Sequence, residues 1–206
     1  MPKIVWSQLP QRIDLPTRAG EVIDAPTAQE LDAAMNDYEA RRGFALPLSY
    51  REFVHWFGPG LFTGSWFDIA APIPPQFRGR VSDVCDIDNQ HEMIHDPEGY
   101  WAESCAPEAL EHLVLFASTE GGDWFFWDTR DVRNARRYEY GIYGHRHGNS
   151  GARVEFVAPS FKAFVTQVCL GTTFPFGSSE AREFEWVHYT AWPRNTKKPK
   201  SRRKSE

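Results

Sequence analysis

Between Thr27 and Gly58 the chain carries two helix patterns back to back, each with its own start and stop signals. In the first, over about 27–42, Thr27 and Glu30 have capping-box spacing, and Leu31, Ala34, Met35 and Tyr38 recur at i, i+3, i+4 and i+7. Gly43 stands where a left-handed residue would end it. The second follows Pro47: Tyr50, Phe53, Val54 and Phe57 repeat the same period, Ser49 and Glu52 offer another capping box, and Gly58 closes the segment. After Gly58-Pro59-Gly60 the period changes. Trp66–Ala70 reads as a strand ended by Pro72, Pro74 and Pro75, which cannot donate to a ladder. Leu113–Ala117 and Trp124–Trp127 flank the turn Glu120–Asp123 and read as a hairpin. Tyr138, Tyr140 and Ile142 alternate with polar or small residues, and Val154–Val157 is a further short strand. A closing helix after Pro159 turns Phe161, Phe164, Val165 and Val168 to one side, with Gly171 at its end. Helices, then a meander of strands, then a helix is an α+β order. It excludes alternating βαβ units.

The sequence of these elements, with particular residues in them, resembles a known family. Gly43-Phe44-Ala45-Leu46-Pro47-Leu48-Ser49-Tyr50-Arg51-Glu52-Phe53, followed by Phe57-Gly58-Pro59-Gly60, is similar to the signature of the SMI1/KNR4 family, or SUKH superfamily. Phe116-Ala117, Gly121-Gly122-Asp123 with Trp127-Asp128, and Ser160-Phe161 with Phe164 resemble the family's later strand, turn and terminal-helix positions, so the likeness runs over about 26–171. It implies two N-terminal helices packed on a mostly antiparallel sheet with a C-terminal helix. It also implies a non-enzymatic protein-binding role. Bacterial members are associated with immunity proteins that neutralise toxins of contact-dependent and other polymorphic toxin systems, and eukaryotic relatives look like regulatory scaffolds. The family brings no catalytic residue and no cofactor with it. On this reading 1–25 is an N-terminal extension, 26–171 the domain, 172–193 a C-terminal extension and 194–206 a basic, disordered tail.

Length and composition agree with one globular domain of this kind. A chain of 206 residues with 41% hydrophobic residues buries a large core without disulfides or a structural metal. Its three cysteines, Cys85, Cys105 and Cys169, are far apart and read as small core residues. The first residues are too interrupted for a signal peptide and no run is long enough for a membrane span, so the expected location is cytoplasmic, with no membrane partner.

Charge is distributed unevenly. Residues 81–129 hold twelve acids and neither lysine nor arginine, within a chain whose net charge is −5. Carboxylates without local partners repel one another, and such a field steers a cationic partner. Asp83, Asp86, Asp88, Glu92 and Asp96 are therefore expected to form a partner-facing surface, with a cationic toxin domain as the partner. An acidic body argues against nucleic acid as the ligand despite the basic tail.

His91-Glu92-Met93-Ile94-His95 also satisfies HExxH, which on a helix places two imidazoles on one face to hold zinc and a glutamate beside them as general base. That supports an alternative reading as a zinc-dependent hydrolase, with His91 and His95 as metal ligands. Its surroundings oppose it. Asp86, Asp88, Asn89 and Gln90 precede the motif, Pro97 ends the helix near His95, and no third ligand is specified among Glu103, Glu108, Glu111 and His112. The expectation is a solvated helix end with two surface histidines. His145-Arg146-His147, between Gly144 and Gly148, is expected at an exposed hairpin tip, and Trp124–Trp127 as a strand buried on both faces.

Overall fold

The computed structural model describes Trp6, residues 26–62, 66–78, 82–101, 110–148 and 154–177, and the backbone of 186–187. The basic tail and Cys105 lie outside the described residues. Helix α1 (Ala28–Arg42) begins with the expected capping box, Thr27 Oγ1 accepting from the Glu30 amide and Glu30 from the Thr27 amide. It ends at Gly43, whose φ of 72° is left-handed and whose N–H closes on Glu39 O at 2.9 Å.

Helix α2 (Leu48–Phe57) starts differently from the expectation. Pro47 is its N-cap and makes no side-chain cap; Ser49 lies inside the first turn, so Ser49 and Glu52 form no capping box. The orphan amides of that turn are taken by the distant strand Glu139–His145 and the turn before it. Leu48 N–H donates to Arg137 O, and Ser49 donates both its N–H and its hydroxyl to the buried Glu139 carboxylate. Glu52 pairs with Arg137 instead. Gly58 ends the helix at φ 68°, ψ −167°, a conformation open essentially to glycine alone.

Among the described residues seven strands form one antiparallel sheet: β1 (Gly60–Phe62), β2 (Phe67–Ile69), β3 (Leu113–Thr119), β4 (Trp124–Asn134), β5 (Glu139–His145), β6 (Glu155–Ala158) and β7 (Trp186–Val187). Their spatial order is β6-β5-β4-β3-β2-β1-β7. This is the α+β architecture implied by the element order. The three-residue β1 was not marked in the sequence, and β7 pairs on its outer side from within the stretch read as a C-terminal extension. Between β2 and β3 the chain forms α3 (Ile87–His95).

Strand side chains alternate between two apolar clusters. Val114, Phe116, Phe125, Trp127, Tyr140 and Ile142 face the main core with α1, α2 and the closing helix, whereas Leu113, Leu115 and Phe126 face a smaller cluster with Ile94 of α3, Trp101 and Leu110. In the main core Trp127 stacks on Phe116 with ring centroids 4.3 Å apart, and Tyr50 meets Trp127 edge-on at 4.8 Å. Leu31, Met35, Tyr50, Phe53, Val54 and Phe57 are all buried, as their periodicity requires. Trp6 and Phe174, outside the central stretch, are buried in the same core.

The closing helix α4 (Phe161–Cys169) is α-helical only through Ala163 and widens to a π-helix from Phe164, ending with Leu170 N–H on Val165 O. Phe161, Phe164, Val165, Val168 and Cys169 are all buried, on one apolar stripe.

Candidate protein-binding site

Helix α3 and its two caps hold four of the five acidic residues singled out in the sequence, Asp86, Asp88, Glu92 and Asp96. Asp86 is its N-cap, its carboxylate accepting from the Asp88 amide at 3.0 Å, and the chain leaves the helix at Asp96 because Pro97 disfavours helical geometry there. Ile87 and Ile94, two turns apart, are fully buried. The opposite face, Asn89, Glu92, Met93 and Asp96 at i, i+3, i+4 and i+7, points outward. Met93 is 40% exposed and Val84, beside the helix start, 38%. Asp83 is exposed and accepts a 3.4 Å hydrogen bond from Asn89. Asp83, Glu92 and Asp96 are thus solvent-facing, as are the apolar Val84 and Met93.

Asp86 and Asp88 belong to the interior. Asp88 receives both terminal nitrogens of Arg41 at 2.9 and 2.8 Å, Arg42 at 3.1 Å and Arg78 at 2.9 Å. Burial opposes its charge, but the hydrogen bonds and charges of Arg41 and Arg42 hold its carboxyl below the usual carboxylate range. The absence of cations within 81–129 is therefore a local property of the sequence. The fold brings arginines from α1 and from the proline-rich segment to this carboxylate, and Arg130 to Asp128. Asp86 makes no ion pair among the described residues, although the charge of Arg78 acts on it. Burial raises its pKa, and the Asp88 amide hydrogen bond offsets only part of that rise.

The two histidines of α3 are not both at the surface. His95 is exposed, but His91 is half-buried, its Nδ1 fully enclosed with no hydrogen-bond partner among the described residues. The rings lie 4.1 Å apart. Burial foremost, then the charge of Arg42, pushes the His91 pKa down to about 4. Among the described residues no third His, Cys, Asp or Glu joins them in a group able to hold a metal ion. Glu111 is exposed and lies 3.9 Å from His112; Glu103 and Glu108 lie outside the described residues.

His145 departs from the expected exposed hairpin tip. It is the last residue of β5, directly opposite Trp124, and is 2% exposed, with its ring 4.9 Å from that of Trp101 and its Nε2 3.5 Å from the Tyr100 hydroxyl. Strand alternation turns it toward the small cluster, and only Arg146 and His147 reach solvent. Sequence reasoning missed Met93 and Val84 as surface residues. The signal for Met93 was available, since Ile87 and Ile94 repeat at seven and place Met93 beyond the buried stripe.

A sequence model of the SMI1/KNR4 family (SUKH-1) matches residues 27–167, from the Thr27 cap of α1 to the π-helical part of α4. The chain belongs to the SMI1/KNR4 family. Comparison with curated proteins and with solved structures returned no match. The family signature itself maps onto scaffolding. Leu46-Pro47 and Ser49 set the start of α2, and Arg51 reaches back to Asp32, Asn36 and Glu39 of α1 at 3.0 Å each. No helix among the described residues is long and apolar enough to cross a membrane.

Proposed function

We propose that this SMI1/KNR4 protein is a non-enzymatic, cytoplasmic immunity protein that binds and neutralises a toxin effector of a contact-dependent or polymorphic toxin system. Its partner-facing surface is the outer face of α3. Family membership supports the class of function, and the observation that carries the location is this segment, on which Asp83, Glu92 and Asp96 are exposed together with Val84 and Met93. Acidic side chains with apolar anchors match a cationic toxin domain, with the carboxylates steering encounter and the apolar side chains holding the complex. Asp86 and Asp88, included in the surface expected from sequence, instead hold α3 in place.

The test is a protection assay in cells producing the toxin domain encoded beside this protein. Wild-type protein should restore growth, and the triple variant Asp83→Lys, Glu92→Lys, Asp96→Lys should lose protection while melting normally. Full protection by a well-folded triple variant would move the interface elsewhere. Failure of the wild-type protein to bind or protect against that domain would defeat the immunity reading.

A further inference from the structure

Oxidisable sulfur is divided between the interior and the surface. The chain has three methionines and three cysteines. Met35, on the core-facing stripe of α1, is 0% exposed, and so are Cys85 and Cys169. Burial also raises the Cys85 thiol well above its ordinary range, so it offers no thiolate to an oxidant at neutral pH. Met1 and Cys105 lie outside the described residues. Met93 differs from the other described sulfurs: 40% of its surface is open to solvent.

Its place in α3 explains that exposure. Ile87 and Ile94 form the buried stripe of the helix, and Ile94 packs in the small cluster under the sheet. Met93, one residue before Ile94, is turned about 100° away from it, to the side of Asn89 and Asp96, which stand one turn before and after. Susceptibility of a thioether to oxidation follows its exposure, so the fold shields Met35 and presents Met93.

We infer that Met93 is a modification site for two-electron oxidants of the peroxide class, and that its oxidation weakens the binding made by the α3 face. The thioether lone pair attacks one peroxide oxygen and the O–O bond breaks. The departing hydroxide takes the proton from the oxygen now on sulfur and leaves as water. Sulfur is oxidised by two electrons and keeps that oxygen as a sulfoxide, and the peroxide is reduced by the same two. A polar, chiral group then stands where a flexible apolar side chain stood. Its oxygen is a hydrogen-bond acceptor, and carrying it into an interface without a donor loses binding free energy. A thiol-dependent sulfoxide reductase reverses the change: the oxygen leaves as water and two thiols join as a disulfide. The reaction at Met93 depends only on the fold, whereas its effect on binding rests on the immunity reading.

Peptide mapping by mass spectrometry, on the full chain treated with dilute hydrogen peroxide, tests the site. In the folded protein Met93 should gain one oxygen roughly tenfold or more faster than Met35, and in denaturant the two should react at equal rates. The second measurement is the dissociation rate of the toxin domain encoded beside this protein, taken before and after peroxide treatment of this chain alone. Oxidised wild-type protein should release that domain roughly tenfold faster, and reductase treatment should restore the original rate. Met93→Leu, compared with itself before and after peroxide, should show no change, which separates Met93 from Met1 and Cys105. Equal oxidation of Met93 and Met35 in the folded protein overturns the inference. Equal dissociation from oxidised and reduced wild-type protein overturns the effect on binding, as does a peroxide effect that persists in Met93→Leu. If untreated wild-type protein does not bind the toxin domain, the immunity reading fails and takes the binding effect with it, while the mapping still confirms or overturns the site.

Discussion

Asp88 carries three guanidinium groups on one carboxylate, and the stability of the α1–α3 contact depends on that arrangement. Removing the carboxylate leaves Arg41, Arg42 and Arg78 facing one another, with Arg42 also lying 5.7 Å from the Tyr38 ring it helps to cover. Breaking a buried pair costs about 3–5 kcal/mol, and the partial exposure of Arg41 and Arg78 places Asp88→Ala at about 3 kcal/mol. A chain of this size loses roughly 2–4 °C per kcal/mol, so the Tm should fall by roughly 6–12 °C in a thermal melt. His91, one turn along, adds a pH dependence. Its folded pKa of about 4 lies below the ordinary value of 6.5, so the unfolded chain binds the extra proton first as pH falls. The neutral ring therefore contributes stability that is complete above pH 6.5 and is lost between pH 6.5 and about 4. The slope is at most about 1.4 kcal/mol per pH unit, reduced here because the ring is only half-buried. His91→Gln should flatten the stability curve across that window in chemical denaturation, and an unchanged slope would show that His91 does not govern it. Neither residue's environment was legible in the sequence. Arg41 lies 47 positions from Asp88, and no local pattern announces a partner at that distance.

Elements were legible where one face of a periodic segment meets the core. Both N-terminal helices, the β3–β4 hairpin and β5 follow from apolar period and glycine stops, because burial of a whole stripe outweighs local detail. What escaped depends on contacts between elements. The three-residue β1 has too few positions to show a period, and the π-turn of α4 preserves the apolar spacing while changing the hydrogen bonds. The start of α2 is the sharpest case. Ser49 has the residue type and spacing of a helix cap, yet it sits in the first turn, and Glu139 of β5 accepts from its amide at 3.1 Å and its hydroxyl at 2.9 Å. Strand and helix are thereby fastened across 90 residues of sequence. Glu139→Ala should leave the buried Ser49 amide without an acceptor and cost about 1–3 kcal/mol, whereas Glu139→Gln keeps one acceptor and should recover part of the loss. Equal melting temperatures for wild type and Glu139→Ala would mean that water caps α2 instead.

On the proposed immunity reading, charge and apolar surface divide the work of recognition at the α3 face. The carboxylates of the α3 face are exposed and free to act at long range, while Val84 and Met93 have apolar area to bury. Rim charges set the association rate and its salt dependence, whereas groups desolvated at the centre of an interface set dissociation. The two kinds of variant should therefore separate in a kinetic experiment with the immobilised toxin domain. Glu92→Gln with Asp96→Gln should slow association by roughly tenfold at low salt, within the range that electrostatic steering spans, and leave dissociation nearly unchanged. The slowing should fade as ionic strength approaches about 0.5 M, because the Debye length then falls to roughly 4 Å. Met93→Ala should do the reverse, leaving association unchanged and speeding dissociation by roughly tenfold, the effect of about 1.4 kcal/mol of lost packing. The two effects should add in the combined variant, since they act on different steps. If Met93→Ala alters neither rate while the carboxylate variant alters dissociation, the carboxylates are buried at the centre of the interface and the apolar pair lies outside it.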